Sequence, residues 1–171
     1  MATTIRDFLL AELKREVDRS RKALEQMPEG KSEWKPHDKS MKFGYLAELV
    51  AIIPTWVAMQ VTKDELDVAP ADGKSNVNRT PKETKADYVK ALDEAAASAE
   101  EALSKTTDEH LATNWKLKAR GNVVLEDTRA AMIQDSFNHL SHHRGQMTVY
   151  LRLMGAKVPA IFGPSADDQR F

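Results

Sequence analysis

Residues 132–154 read Met132-Ile133-Gln134-Asp135-Ser136-Phe137-Asn138-His139-Leu140-Ser141-His142-His143-Arg144-Gly145-Gln146-Met147-Thr148-Val149-Tyr150-Leu151-Arg152-Leu153-Met154, and this stretch decides the fold. Ile133, Phe137, Leu140, Met147, Leu151 and Met154 fall on alternating four- and three-residue steps, with Arg144 as the one charged member of the seam. That period belongs to an α-helix with one side buried against others. A second line at the same spacing runs beside it: Met132, Ser136, His139, His143, Gln146, Tyr150 and Leu153. Its polar part is a patch next to the core seam, where a site would be half buried and held on a rigid element. Asp127 or Thr128 opens this helix and Gly155 ends it. At 1.5 Å per residue it is roughly 40 Å long, the main beam of the domain.

His139 and His143 stand four residues apart, so their Cβ atoms lie about 5–6 Å from each other on one face. Two imidazoles so placed can share a divalent ion, with nitrogens about 2.0–2.1 Å from zinc. The same pair also occurs as a plain structural or surface feature, because a metal site needs a third ligand and an open position. His142 points elsewhere. Asp135 shares the face, but it is roughly 12 Å along the axis from His143, too far to complete a set on one straight helix. Gly145 costs about 1 kcal/mol relative to alanine inside a helix; close contact with a neighbouring helix or a second subunit would account for it. Arg144 on an apolar seam needs an acceptor, and Glu12 or Glu16 on the first helix is the candidate.

Working outward, Ile5, Phe8, Leu9, Leu13, Val17, Leu24 and Met27 give the same period behind Thr4 as N-cap, until Pro28-Glu29-Gly30 stops it. After a loop containing Trp34-Lys35-Pro36-His37, Ser40 is expected to cap a second helix that is apolar nearly all round, from Phe43 to Val57. Pro54 should kink that helix or open a turn. Thr62 to Arg79 reads as a polar loop, a crossover between helices two and three. Thr80-Pro81-Lys82-Glu83 has the form of a capping box. It precedes a third helix with Ala86, Val89, Leu92, Ala96, Ala99 and Leu103 on one face. The alternation at Trp115-Lys116-Leu117-Lys118-Ala119, the turn residues Arg120-Gly121-Asn122 and the branched Val123-Val124-Leu125 suggest a small hairpin. The tail from Val158-Pro159 to Gly163-Pro164 should pack back on the bundle.

Composition narrows the classes. With 171 residues, 42% hydrophobic and 30% charged, the sequence reads as a single globular domain over 1–171. Lys+Arg total 25 against 26 Asp+Glu, a net charge of -1, which supplies no general attraction for nucleic acid or an anionic membrane. Cysteine is absent, which removes disulfides, thiolate ligands and cysteine nucleophiles together. No signal peptide or membrane span is read, so the expected location is cytoplasmic.

The run from His139 through Met154-Gly155-Ala156-Lys157-Val158-Pro159 to Pro164-Ser165-Ala166-Asp167 resembles the C-terminal signature of the DinB-like (damage-inducible, YfiT-related) family. Trp34-Lys35-Pro36-His37, Lys39-Ser40-Met41 and Leu46-Ala47 resemble the approach to that family's second helix. The resemblance implies an all-α, up-down-down-up four-helix bundle, often a homodimer, holding zinc or nickel through three histidines. Two of these correspond to His139 and His143. The third belongs to a second-helix segment of the form Leu-Ala-x-His-x-Ala-Glu-x-Pro-x-Trp. Leu46-Ala47-Glu48-Leu49-Val50-Ala51-Ile52-Ile53-Pro54-Thr55-Trp56 matches it in register, with Leu49 at the histidine position and Ile52 at the acidic one. Leucine offers no donor atom, and Glu48 is about 100° around the helix from it. A completed site would need water, Tyr45 or a carboxylate from another helix.

Two functions are therefore expected to compete. One is a bundle with a degenerate or absent metal site, acting as a small-molecule-binding or dimeric scaffold protein. His139, His143, Gln146 and Tyr150 would then form a hydrogen-bonding pocket floor. The other is a divalent-metal-dependent hydrolase or thiol-cofactor transferase in which His139 and His143 hold the ion.

Overall fold

The structure is a computed structural model and describes residues 3–70 and 82–170. Helix α1 (Ile5–Leu24) begins as its capping residues require: the Thr4 hydroxyl accepts from the Asp7 amide. The free Ile5 and Arg6 amides donate to the Asp108 carboxylate at 3.0 Å each. Helix α2 (Phe43–Ile52) runs into α3 (Pro54–Thr62) with a bend of 44°. Pro54 sits where its missing N–H is harmless, at the start of α3. Strand β1 (Glu65–Asp67), α4 (Lys85–Lys105), α5 (Asp108–Leu111), β2 (Asn114–Ala119), β3 (Asn122–Thr128) and α6 (Arg129–Leu153) complete the order.

The core lies in two layers. Leu9, Leu13, Val57, Val61, Ala99, Leu103, Ile133 and Phe137 share one. Leu24, Phe43, Leu46, Tyr88, Leu92, Met147 and Leu151 belong to the other. The start of α1 and of α6 therefore meets the end of α3 and of α4, so α1 and α6 run one way and α2–α3 and α4 the other. Among the described residues no single helix is long and apolar enough to cross a membrane.

The all-α expectation needs correction. The hairpin is present, and β1 adds to it in parallel to make a three-stranded sheet of order β1-β2-β3. Arg120 (φ 54°) and Gly121 (φ 79°) are both left-handed, as a two-residue turn matched to strand twist demands. The Asp67 carboxylate accepts from the Gly121, Arg120 and Ala69 amides. The bond from Gly121 contributes most to holding its pKa below the usual carboxylate value. Part of the segment expected as polar loop is thus strand, recruited by hydrogen bonds that local composition does not encode.

Other starts also move. Lys42, without a side-chain cap, precedes α2 in place of Ser40. The box at Thr80 and Pro81 lies outside the described residues; Thr84 and Asp87 form a capping box for α4. The buried face of α4 is Tyr88, Leu92, Ala95, Ala99 and Leu103, shifted from the expected one because the Tyr88 hydroxyl reaches the Gly44 carbonyl at 3.2 Å. A Cβ on Gly145 would meet nothing within 4 Å, so no neighbouring helix explains it.

Arg144 finds Glu16, as its chemistry demands: 2.6 Å, with side chains 1% and 3% exposed. Two carboxylates hold the tail, Asp167 tying it to α6 and Asp168 closing it on itself. Asp167 pairs with Arg152 and accepts from the Val158 amide, and Asp168 binds Arg170 and the Ala160 amide. The arginine bond is the largest cause of each lowered pKa. A depressed folded pKa stabilises above the unfolded value and loses that contribution as pH falls through the folded one. The Asp167→Asn/Asp168→Asn variant is therefore expected to melt below wild type at neutral pH. The gap should close progressively below about pH 4, the ordinary carboxylate range, in melts recorded against pH.

Candidate functional site

Helix α6 presents both histidines as its period requires. The Nε2 atoms of His139 and His143 approach to 2.8 Å, and His143 Nδ1 lies 2.9 Å from Gln146 Oε1. An imidazole nitrogen donates or accepts according to its tautomer, and the two contacts together link Gln146 through His143 to His139. His143 is buried, whereas His139 is exposed and stands edge-on to Trp56 at 5.2 Å. His142 is exposed and rests edge-on against the back of this pair.

Leu49 is 3% exposed in the core layer that also holds Leu140 and Met147. The helix-two position expected to carry a third ligand is filled by packed hydrocarbon. Among the described residues no group of three His, Asp or Glu side chains comes together to hold a metal ion. Two converging imidazoles and an aliphatic neighbour do not fit a three-ligand zinc or nickel centre.

The same face of the bundle opens on a cavity of about 500 Å³ between α2–α3, the sheet and α6. Ile52, Trp56 and Met59 form one wall, Leu117 and Leu125 of the hairpin a second, and Met132 a third. Ser136 and Gln60 hydrogen-bond to each other at 3.1 Å on its lining, and His139 and Asp135 border it. Gln146 and Tyr150, expected on a pocket floor, are not among its walls. Gln146 instead backs His143, and the Tyr150 hydroxyl donates to the Met41 carbonyl at 3.3 Å beside Trp34.

Sequence reasoning missed two lining residues. Glu48 is 3% exposed; its Oε1 is 3.5 Å from Lys82 Nζ, and its Oε2 has no hydrogen-bond partner among the described residues. Trp115, 2% exposed on β2, has an indole N–H without a partner among the described residues. The signal for Glu48 was present: it is the one charged residue within the apolar run of α2. Trp115 depended on where the hairpin packs.

A model of the DinB family matches residues 1–170. The uncharacterised protein YrdA of Bacillus subtilis (strain 168) is 36% identical over 62 residues, which span 34% of this chain and 37% of that protein's length. A DinB-like protein from Bacillus cereus ATCC 10987 superposes with a TM-score of 0.72 at 22% identity, covering 95% of this chain and all of that one. The DinB-like YjoA of Bacillus subtilis gives 0.66 at 17% identity over 95% of this chain and 99% of its own. YfiT from Bacillus subtilis, described as "a probable metal-dependent hydrolase with an unusual four-helix bundle topology", gives 0.63 at 15% identity over 89% of each. At these identities the likeness of the solved structures concerns the fold.

Proposed function

Because the chain belongs to the DinB family, we propose that it keeps the family's four-helix bundle but works as a small-molecule-binding protein without a three-histidine metal centre. One observation carries this reading: a cavity of about 500 Å³ with mostly apolar walls opens beside a histidine pair whose expected third partner is the buried Leu49. That size and lining suit a compact organic ligand. His139, bordering the cavity, adds a polar edge linked through His143 to Gln146. A homodimeric, cytoplasmic protein is part of the same proposal, and sedimentation equilibrium tests the first term.

The alternative, a metal-dependent hydrolase or thiol-cofactor transferase using His139 and His143, draws its support from the convergence of the two Nε2 atoms and from Gln146 behind them. An outer-shell partner of this kind commonly orients a metal-bound histidine. Zinc titration separates the readings. Wild type purified without added metal should carry little ion, and Leu49→His should bind zinc at least about a hundredfold more tightly, since even outer-shell partners are worth about 10–100-fold. A near-stoichiometric ion in wild type, held as tightly as in the variant, would overturn the metal-free reading. Binding of a neutral apolar dye such as N-phenyl-1-naphthylamine tests the cavity, and Met132→Trp, which fills it, should block the dye in protein that still unfolds cooperatively.

A further inference from the structure

Two buried polar atoms without partners among the described residues belong to residues lining one apolar cavity, and they are of opposite kind. Glu48 Oε2 is an acceptor, and Trp115 Nε1–H is a donor. Leaving either group buried and unmatched costs about 1–3 kcal/mol, a cost a chain carries most readily where a ligand removes it. Glu48 is also already half satisfied. Its Oε1 faces Lys82, and a carboxylate has lone pairs for further donors on its second oxygen. What the second oxygen lacks is an N–H or O–H donor, best a charged one.

From this we infer that the cavity, taken as the ligand site proposed above, is selective for primary amines with an apolar body. Glu48 Oε2 is closed to solvent in this structure, so the carboxylate turns toward the cavity for the ammonium to donate to it, and the hydrocarbon or aromatic body lies against Ile52, Trp56 and Leu125. An acceptor group on the ligand, where it has one, meets the Trp115 indole N–H. Aromatic walls favour the same class, because a cation over an indole face is attracted by its quadrupole. Asp135, exposed and also on the lining, adds negative charge to the cavity.

Binding of 2-phenylethylamine, and of 2-phenylethanol as its neutral counterpart of equal shape, is to be measured by calorimetry and by tryptophan fluorescence at neutral pH. Wild type is expected to prefer the amine by about tenfold or more, the range of a charge-assisted hydrogen bond. Glu48→Gln, which keeps shape and fold, should remove the preference; Trp115→Phe should preserve it while weakening ligands that carry an acceptor. Equal affinity of wild type for the two probes, or a preference that survives in Glu48→Gln, overturns the amine assignment and leaves the cavity reading standing. Failure of both probes and of the apolar dye overturns the cavity reading itself.

Discussion

Glu16→Leu is expected to lose about 3–5 kcal/mol of stability, the usual cost of stranding one member of a buried ion pair. The loss comes from Arg144. Its guanidinium is 1% exposed and would retain the Glu16 carbonyl, the hydroxyls of Ser20 and Ser141 and the Phe162 ring at 5.6 Å. These neutral acceptors do not balance a full charge in a dry site. The reverse change, Arg144→Met, should cost less, because Glu16 keeps its second arginine: Arg19 Nη1 lies 2.6 Å from Oε1. The double variant should be more stable than Glu16→Leu alone, since it removes the stranded charge together with its partner. Urea unfolding of the four proteins gives the coupling directly. A double variant as unstable as the sum of the two singles would show that the pair is not what holds α1 to α6. None of the three changes touches the cavity, so probe affinity in the folded variants should stay at its wild-type value.

The pair also shows what could be read in advance. A single charged residue on the seam of α6 demands an acceptor, and the parallel first helix has few to offer, so Glu16 was legible as one of two candidates. The long helices were legible for the same reason, since period and caps act over a few residues. Helix α5 and strand β1 were not. Four residues of helix and three of strand carry no period, and they exist because Asp108 caps α1 and because Asp67 holds the hairpin turn. At the site, the spacing of His139 and His143 gave their meeting correctly, because one helix fixes it. Glu48 and Trp115 come from two different elements, and only packing of the sheet against α2–α3 puts them on one cavity. Tyr150 does not line that cavity; its hydroxyl partner, the Met41 carbonyl, comes from the 28–42 loop, which the period of α6 does not reveal.

Arg129→Met is expected to be the change that couples stability to binding. Arg129 is 3% exposed at the first position of α6. Its Nη1 donates to the Gln60 carbonyl at 2.6 Å and the Lys63 carbonyl at 2.5 Å, Nη2 to Asp64 at 2.6 Å and Nε to the Thr113 hydroxyl at 2.9 Å. The first two bonds satisfy carbonyls at the C-terminal end of α3, where a cation also complements the helix dipole. The others hold the residues that lead into β1 and β2. Methionine fills the volume but leaves those carbonyls unmet, at about 2–4 kcal/mol in total. Asp64 adds little to that figure, being 93% exposed and free to return to water. The consequence for the site follows from position. This side chain is the root by which the sheet is fastened to α3, and the cavity is the space between those two walls. Probe affinity should therefore fall by about tenfold at a temperature where the variant is still folded, with Arg129→Lys restoring only part, since an ammonium cannot span the same fork of acceptors. An unchanged affinity in a destabilised Arg129→Met protein would mean that the sheet keeps its place by packing alone.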